Sequence, residues 1–121
     1  NPPIHGNLSH ERWRRYASPV WMDINFSNTL NAKAARDNED ERHVCPMALD
    51  LIERAITLWS NPGDVVFDPF SGVGSTGYQS LKMGRKFIGS ELKQSYFTQA
   101  CKNLESAKAN QGGLFADMES A

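Results

Sequence analysis

The chain has 121 residues, 40% of them hydrophobic and 22% charged, with a formal net charge of −1. These values describe one domain large enough to bury a core; they exclude a chain tuned as a whole for nucleic acid, so any DNA contact must come from a local patch. No apolar run approaches the ~20 residues that a membrane-spanning helix needs, no secretory pattern opens the chain, and the widely separated Cys45 and Cys101 read as reduced thiols of a cytoplasmic protein.

The first residue is Asn1 rather than Met, which fits either a processed start or a piece of something longer. Pro2-Pro3 and Gly6-Asn7 break regular structure. Residues Ser9 to Tyr16 suit a short helix ended by Pro19, and its Arg12, Arg14 and Arg15 beside Trp13 and Tyr16 form a mixture that can bind phosphates and stack on bases. The plainer alternative is a solvated helical turn with Trp13 tucked into the core. Val20 to Ile24 is short, apolar and β-compatible. From Asn25 to Arg42 the composition turns polar, with Asp37, Glu39, Asp40 and Glu41 together, which predicts a surface loop with solvated charges.

Pro46 suits the first turn of a helix. Leu49, Ile52, Ile56 and Trp59 follow at a spacing that gives one buried face. Asn61-Pro62-Gly63-Asp64 turns the chain into a strand over 65–68, and a glycine-rich bend, Pro69 to Gly74, leads into a helix from about Thr76 to Met83-Gly84. Phe87 to Glu91 is the next strand. A helix from about Lys93 to Ala109 buries Phe97, Cys101 and Leu104, and Gln111-Gly112-Gly113 ends it. Strand, helix, strand and helix in this order predict a parallel α/β sheet. Three parts are expected: an irregular lead-in over 1–42, the α/β core over 43–110 and a tail over 111–121.

The bend at Gly72 and Gly74 carries no Cβ to obstruct a ligand, and the first N–H groups of the next helix point to the same place. In a parallel sheet the bend and Glu91, at the tip of the neighbouring strand, share the carboxyl edge, where such folds bind ligands. A carboxylate there can accept both hydroxyls of a ribose, so an adenosine-containing cofactor fits. Spacing leaves its identity open: Gly72-Val73-Gly74-Ser75-Thr76-Gly77 also satisfies G-x-G-x-x-G with an acid about 20 residues on, as in a NAD(P)-binding fragment. Alternatively, the glycines serve only tight packing and Glu91 is a solvated strand end.

Asp68-Pro69-Phe70-Ser71-Gly72-Val73-Gly74-Ser75 resembles the D-P-F-x-G-x-G-[ST] loop of the amino DNA methyltransferases, which methylate adenine N6 or cytosine N4 with S-adenosylmethionine. Arg85 to Leu92 resembles their next motif, Tyr96 and Ala100 match the helix after it, and His43-Val44-Cys45-Pro46 with Leu49 and Trp21 resembles the segment before the loop in the circularly arranged subclass. The resemblance covers about residues 20–105 and implies a Rossmann-like methyltransferase fold.

It further implies that Asp68 and the backbone around Phe70–Gly74, including Ser71 and Gly72, hold the methionine portion of the cofactor, with Pro69, Ser75 and Thr76 also at the cofactor site. Glu91, beside Leu92, would hold the ribose, His43, Val44, Cys45 and Pro46 would line the other side, and Phe70 would flank the target base or the methyl donor. His5, His10 and His43 show no ligand spacing, and no metal is expected.

The family acts with a [DNS]-P-P-[YFW] tetrapeptide. Asn1-Pro2-Pro3-Ile4 lacks the ring and is followed by too few residues before His43, so it is a coincidence and no catalytic residue is expected in this chain. The expectation is therefore the cofactor-binding C-terminal portion of a DNA methyltransferase of a restriction-modification or phage system, with adenine N6 favoured over cytosine N4. The alternative is a catalytically silent module working with a partner. Strand 65–68 would then be an uncovered apolar edge, prone to pair with a second copy or a complementary half.

Overall fold

The computed structural model describes residues 9–31 and 45–119, with side chains as far as Asn110. His43, Val44 and the acidic group from Asp37 to Glu41 lie outside the described residues, as does Asn1 to Ile4. The elements in chain order are α1 (His10–Tyr16), α2 (Leu49–Trp59), β1 (Val65–Asp68), α3 (Ser75–Lys82), β2 (Lys86–Gly89) and α4 (Gln94–Glu119).

Ser9 caps α1 through its hydroxyl, which accepts the Arg12 N–H at 3.2 Å. The buried aromatic of this helix is Tyr16, and Trp13 stands exposed instead of tucked into the core. Residues 20–24 form no strand: they lie beside α2 with no strand partner among the described residues, and β propensity alone makes no sheet. Helix α2 starts at Leu49, three residues after Pro46, and buries Leu49, Ile52 and Ile56 against Leu30, Tyr78 and Met83. Trp59, at its last turn, is exposed.

The Asn61–Asp64 turn closes on itself, with the Asp64 carboxylate accepting the Asn61 N–H at 2.7 Å and Gly63 at φ 87°. β1 and β2 then pair in parallel, Val65 opposite Lys86 and Phe67 opposite Ile88. With a period of two, these four residues share one face. The opposite face meets α3, where Gly77 leaves room for the Phe87 ring; a Cβ there would come within 2.6 Å of it. Helix α3 packs in turn against α2 and α4. The face bearing Val65, Phe67 and Ile88 stays exposed.

Helix α4 departs from expectation twice. It buries Ala100 and Ala107, while Phe97 and Cys101 are exposed and Leu104 is half-buried. The large residues misled because the helix approaches α3 and the glycine bend too closely for them. It also runs through Gly112 and Gly113 to Glu119, since a glycine inside a helix costs only about 1 kcal/mol and no proline follows to stop it. Among the described residues no helix is long and apolar enough to cross a membrane.

Candidate functional site

At the carboxyl edge of the two strands the chain is tied to itself by a dense set of hydrogen bonds. The Asp68 carboxylate accepts the Phe70 N–H at 3.0 Å and turns the chain off β1. The Ser71 N–H and hydroxyl both donate to the Ser90 carbonyl at 3.0 Å, and the Ser90 hydroxyl donates to the Pro69 carbonyl at 2.7 Å. Glu91, two residues past β2, accepts the Gly72 N–H at 2.8 Å with one oxygen and the Lys93 N–H at 2.9 Å with the other.

Two glycines make the bend possible. Gly72 has φ 52° and Gly74 φ 83°, the left-handed region that costs other residues about 1–2 kcal/mol. Gly74 is also sterically required: a Cβ there would come 2.9 Å from Leu104 Cδ1 and 3.2 Å from the Ala100 Cα. Helix α3 begins at the next residue, and its first-turn N–H groups have no acceptor within the helix.

Beside this bend lies a half-open cavity of about 270 Å³. One wall is Asp68 and the bend from Phe70 to Val73, the floor is Ser75 and Thr76 at the start of α3, Tyr96 of α4 closes one side, and Cys45, Pro46 and Met47 form the opposite lip. Ser75 is 6% exposed and its hydroxyl has no hydrogen-bond partner, an arrangement that leaves a buried polar atom for a ligand to satisfy.

The structure thus brings Cys45, Pro46, Asp68, Phe70, Ser71, Gly72, Ser75 and Thr76 to one cavity. Pro69 and Gly74 shape the bend without lining it. Leu92 points to solvent, outside the cavity. Glu91 adjoins the cavity through its bond to Gly72; a carboxylate has about four lone-pair sites, so each oxygen can still accept a further donor. Met47, Val73 and Tyr96 line the cavity without having been singled out as site residues; the family match of Tyr96, one turn into α4, was the available signal. Among the described residues no group of His, Cys, Asp and Glu could hold a metal ion.

Two of the three exposed arginines of α1 are held in ion pairs. Arg12 pairs with Glu53 at 3.1 Å and also donates to the Tyr16 hydroxyl, and Arg15 pairs with Asp23 at 2.7 Å. Their guanidinium groups fasten α1 to its own chain, leaving Arg14 as the one without an ion pair among the described residues.

The same region contains a clasp on α2. Arg54, only 3% exposed, lies between the rings of Tyr16 and Trp21 at 4.7 and 5.1 Å and makes two hydrogen bonds to Asp23, at 2.9 and 3.0 Å. These Arg54 bonds hold the Asp23 carboxyl below its ordinary value. At the start of α2, Asp50 accepts the Asn28 amide at 2.6 Å and the Asn25 N–H at 3.0 Å, which lowers its pKa as well, and the Asn28 carbonyl accepts the Leu49 N–H. The clasp therefore fixes the end of α2 from which the Cys45–Met47 lip extends.

Comparison with known proteins agrees with this architecture. A DNA methylase family model matches residues 5–102. The type II methyltransferase M1.MboII of Moraxella bovis is 47% identical over 99 residues, 82% of this chain and 34% of that protein. The DNA adenine methyltransferase YhdJ of Escherichia coli (strain K12) is 40% identical over 70 residues, 58% of this chain and 24% of that protein. Among solved structures, TTHA0409 of Thermus thermophilus, described as a DNA modification methylase and solved complexed with S-adenosyl-L-methionine, is 28% identical over 84% of this chain and 34% of its own, with a TM-score of 0.63. The chain spans between 22% and 34% of the length of the curated relatives it matches. On the strength of the model matched over most of its length, this chain belongs to the DNA methylase family.

Proposed function

We propose that this chain is the cofactor-binding portion of a site-specific DNA methyltransferase, and that the cavity between the Phe70–Thr76 bend and the Cys45–Met47 lip holds S-adenosylmethionine. The observation that carries this reading is the convergence on one cavity of the buried, unpartnered Ser75 hydroxyl, the start of α3 and the Asp68 carboxylate. The TTHA0409 complex supports the choice of cofactor.

When bound, the cofactor would supply a methyl group on a sulfonium centre, which needs no metal to leave. Asp68 has one oxygen committed to Phe70, and the other is placed to attract the ammonium of the methionine portion. The Ser75 hydroxyl and the first N–H groups of α3 suit its carboxylate. Glu91, oriented by Gly72 and Lys93, offers its remaining lone pairs to the ribose hydroxyls. Cys45, Pro46 and Met47 exclude water on the side opposite the bend, with His43 and Val44 next to them in sequence.

Phe70 is 88% exposed at the cavity mouth, suited to lie against a base withdrawn from the duplex. Adenine N6 is favoured as the acceptor because YhdJ, named an adenine methyltransferase, is among the relatives. The amine itself would be positioned by an aromatic tetrapeptide outside this chain, whose one Pro-Pro pair is followed by Ile4. A complementary half or a second copy would cover β1. The free thiols Cys45 and Cys101, together with action on DNA, support a cytoplasmic setting within a restriction-modification or phage system.

The test is a thermal-shift and calorimetric screen of S-adenosylhomocysteine, NAD and NADP. The reading predicts stabilisation by S-adenosylhomocysteine alone, growing as RT ln(1 + [L]/Kd); stabilisation by NAD or NADP would replace it with the dinucleotide reading. A catalytically silent module working with a partner is the second reading. A [DNS]-P-P-[YFW] segment encoded upstream of Asn1 would exclude it; its absence would favour it.

A further inference from the structure

The glycine bend is held from a second side, by α4. On that helix Asn103 donates through its side-chain Nδ2 to the Val73 carbonyl at 2.8 Å, across thirty residues of sequence. Val73 lies between the two positive-φ glycines and is itself buried. One turn earlier, Gln99 donates through Nε2 to the Asn103 Oδ1 at 3.0 Å. An amide has a donor end and an acceptor end, and the Gln99 donor and the Val73 acceptor favour the same orientation of Asn103. With Oδ1 taken by Gln99, Nδ2 is the end presented to Val73.

From this geometry we infer that Asn103 is a positioning residue for cofactor binding, kept in its working orientation by Gln99. The inference rests on the reading of the cavity as the S-adenosylmethionine site. Asn103 does not line that cavity; it acts through the Val73 carbonyl, hence through the peptide that joins Val73 to Gly74. Ala100 and Leu104 already limit where Gly74 can sit, and the Asn103 bond removes the remaining freedom of the peptide to rotate. The first-turn donors of α3 then stand in one arrangement before a ligand arrives.

A relay and a simple packing role differ in what chemistry they tolerate. Gln99→Leu removes the orienting donor but leaves Asn103 free to keep its bond to Val73. Gln99→Glu keeps the shape and reverses the polarity: a carboxylate accepts only, so the Asn103 amide turns to donate to it and presents Oδ1 to the Val73 carbonyl. Two acceptors then face each other. Asn103→Asp creates the same opposition directly. Both changes are nearly isosteric, and Gln99 lies in the N-terminal part of α4, where an added negative charge does not harm the helix.

The test measures S-adenosylhomocysteine affinity by calorimetry and the thermal midpoint for the wild-type chain, Gln99→Leu, Gln99→Glu and Asn103→Asp, with Ile56→Val as a destabilised control remote from the bend. The relay predicts that Gln99→Leu binds within about threefold of wild type. Gln99→Glu and Asn103→Asp each weaken binding by about tenfold or more, the effect of losing one hydrogen bond and opposing two acceptors. Gln99→Glu does so with a thermal midpoint at least as high as that of Ile56→Val.

Equal affinities for Gln99→Leu and Gln99→Glu would overturn the inference, as would losses that merely track the thermal midpoint. Failure of the wild-type chain to bind S-adenosylhomocysteine would overturn the reading of the cavity and this role together. Wild-type binding with unaffected variants overturns the role alone.

Discussion

The two sides of the β1–β2 sheet differ in how far they are finished. At the carboxyl edge, Asp68, Ser71, Ser90 and Glu91 tie the two strand exits together through side-chain to backbone hydrogen bonds, and Asn103 fixes the bend from outside. On the bare face, Val65, Phe67 and Ile88 are exposed, and an apolar groove of about 360 Å³ runs between α2 and β1 from Met47 to Trp59. One side is held in place by the chain's own hydrogen bonds. The other leaves apolar surface and one strand edge in water, a state that natural sheets avoid by covering the edge. The contrast is between a cavity wall preorganised by local hydrogen bonds and a sheet face that its own chain leaves exposed.

The largest expected effect comes from breaking the finished side at its tightest point. Gly74→Ala sets a side chain at φ 83° and 2.9 Å from Leu104 Cδ1. The conformational cost of about 1–2 kcal/mol and the overpacking cost of about 1–3 kcal/mol together predict a loss of roughly 2–5 kcal/mol, read by urea unfolding. Gly72→Ala, where a Cβ would meet nothing within 4 Å, isolates the conformational part and should cost less.

Glu91→Gln comes next. It places an amide N–H where the carboxylate now accepts from Gly72 or Lys93, and loss of a charge-assisted bond of about 1.5–3 kcal/mol should weaken S-adenosylhomocysteine binding by roughly tenfold to a hundredfold. Calorimetry reads it; unchanged affinity would remove Glu91 from the site.

A smaller effect separates the clasp from both sides. The Asp23 carboxyl is held below its ordinary 3.8 by the bonds from Arg54. A depressed folded-state value means that the stabilisation is fully present above 3.8 and is lost as pH falls through the lower, folded value. An acid titration of the thermal midpoint should therefore show a decline below pH 3.8 that Asp23→Asn reduces, with little difference between the two proteins' slopes at neutral pH.

The smallest effect on stability belongs to the bare face. Phe67→Lys should change the unfolding free energy by no more than about 0.5 kcal/mol, as for exposed positions generally, while abolishing any self-association seen by sedimentation at high concentration. A wild-type chain that sediments as a monomer at all concentrations would leave the complementary half as the covering partner.

Much of this architecture is legible in the sequence because it is local. Val65–Asp68, the Gly72 and Gly74 bend and the acid at Glu91 are specified by neighbours only a few residues apart, and they occupy the places expected of them. Long-range contacts were not legible. Arg54 reads as an ordinary helix-surface charge until Tyr16, Trp21 and Asp23, some thirty residues away, enclose it. The buried face of α4 differs from expectation for a related reason: Phe97 and Cys101 have the character of core residues, yet it is Ala100 that lies against Gly74, 3.1 Å from where a Cβ would stand. Val20 to Ile24 has strand-like residues and no strand to pair with.

The central claim is that the cavity between the bend and the Cys45–Met47 lip is where the methyl donor sits. Its most direct test is a titration of the isotopically labelled chain with S-adenosylhomocysteine, followed residue by residue through backbone amide resonances. The account predicts saturable shifts concentrated at Gly72 to Thr76, Glu91 and Tyr96. No saturable response, or shifts centred on Trp59 and Val65 in the apolar groove, would contradict it.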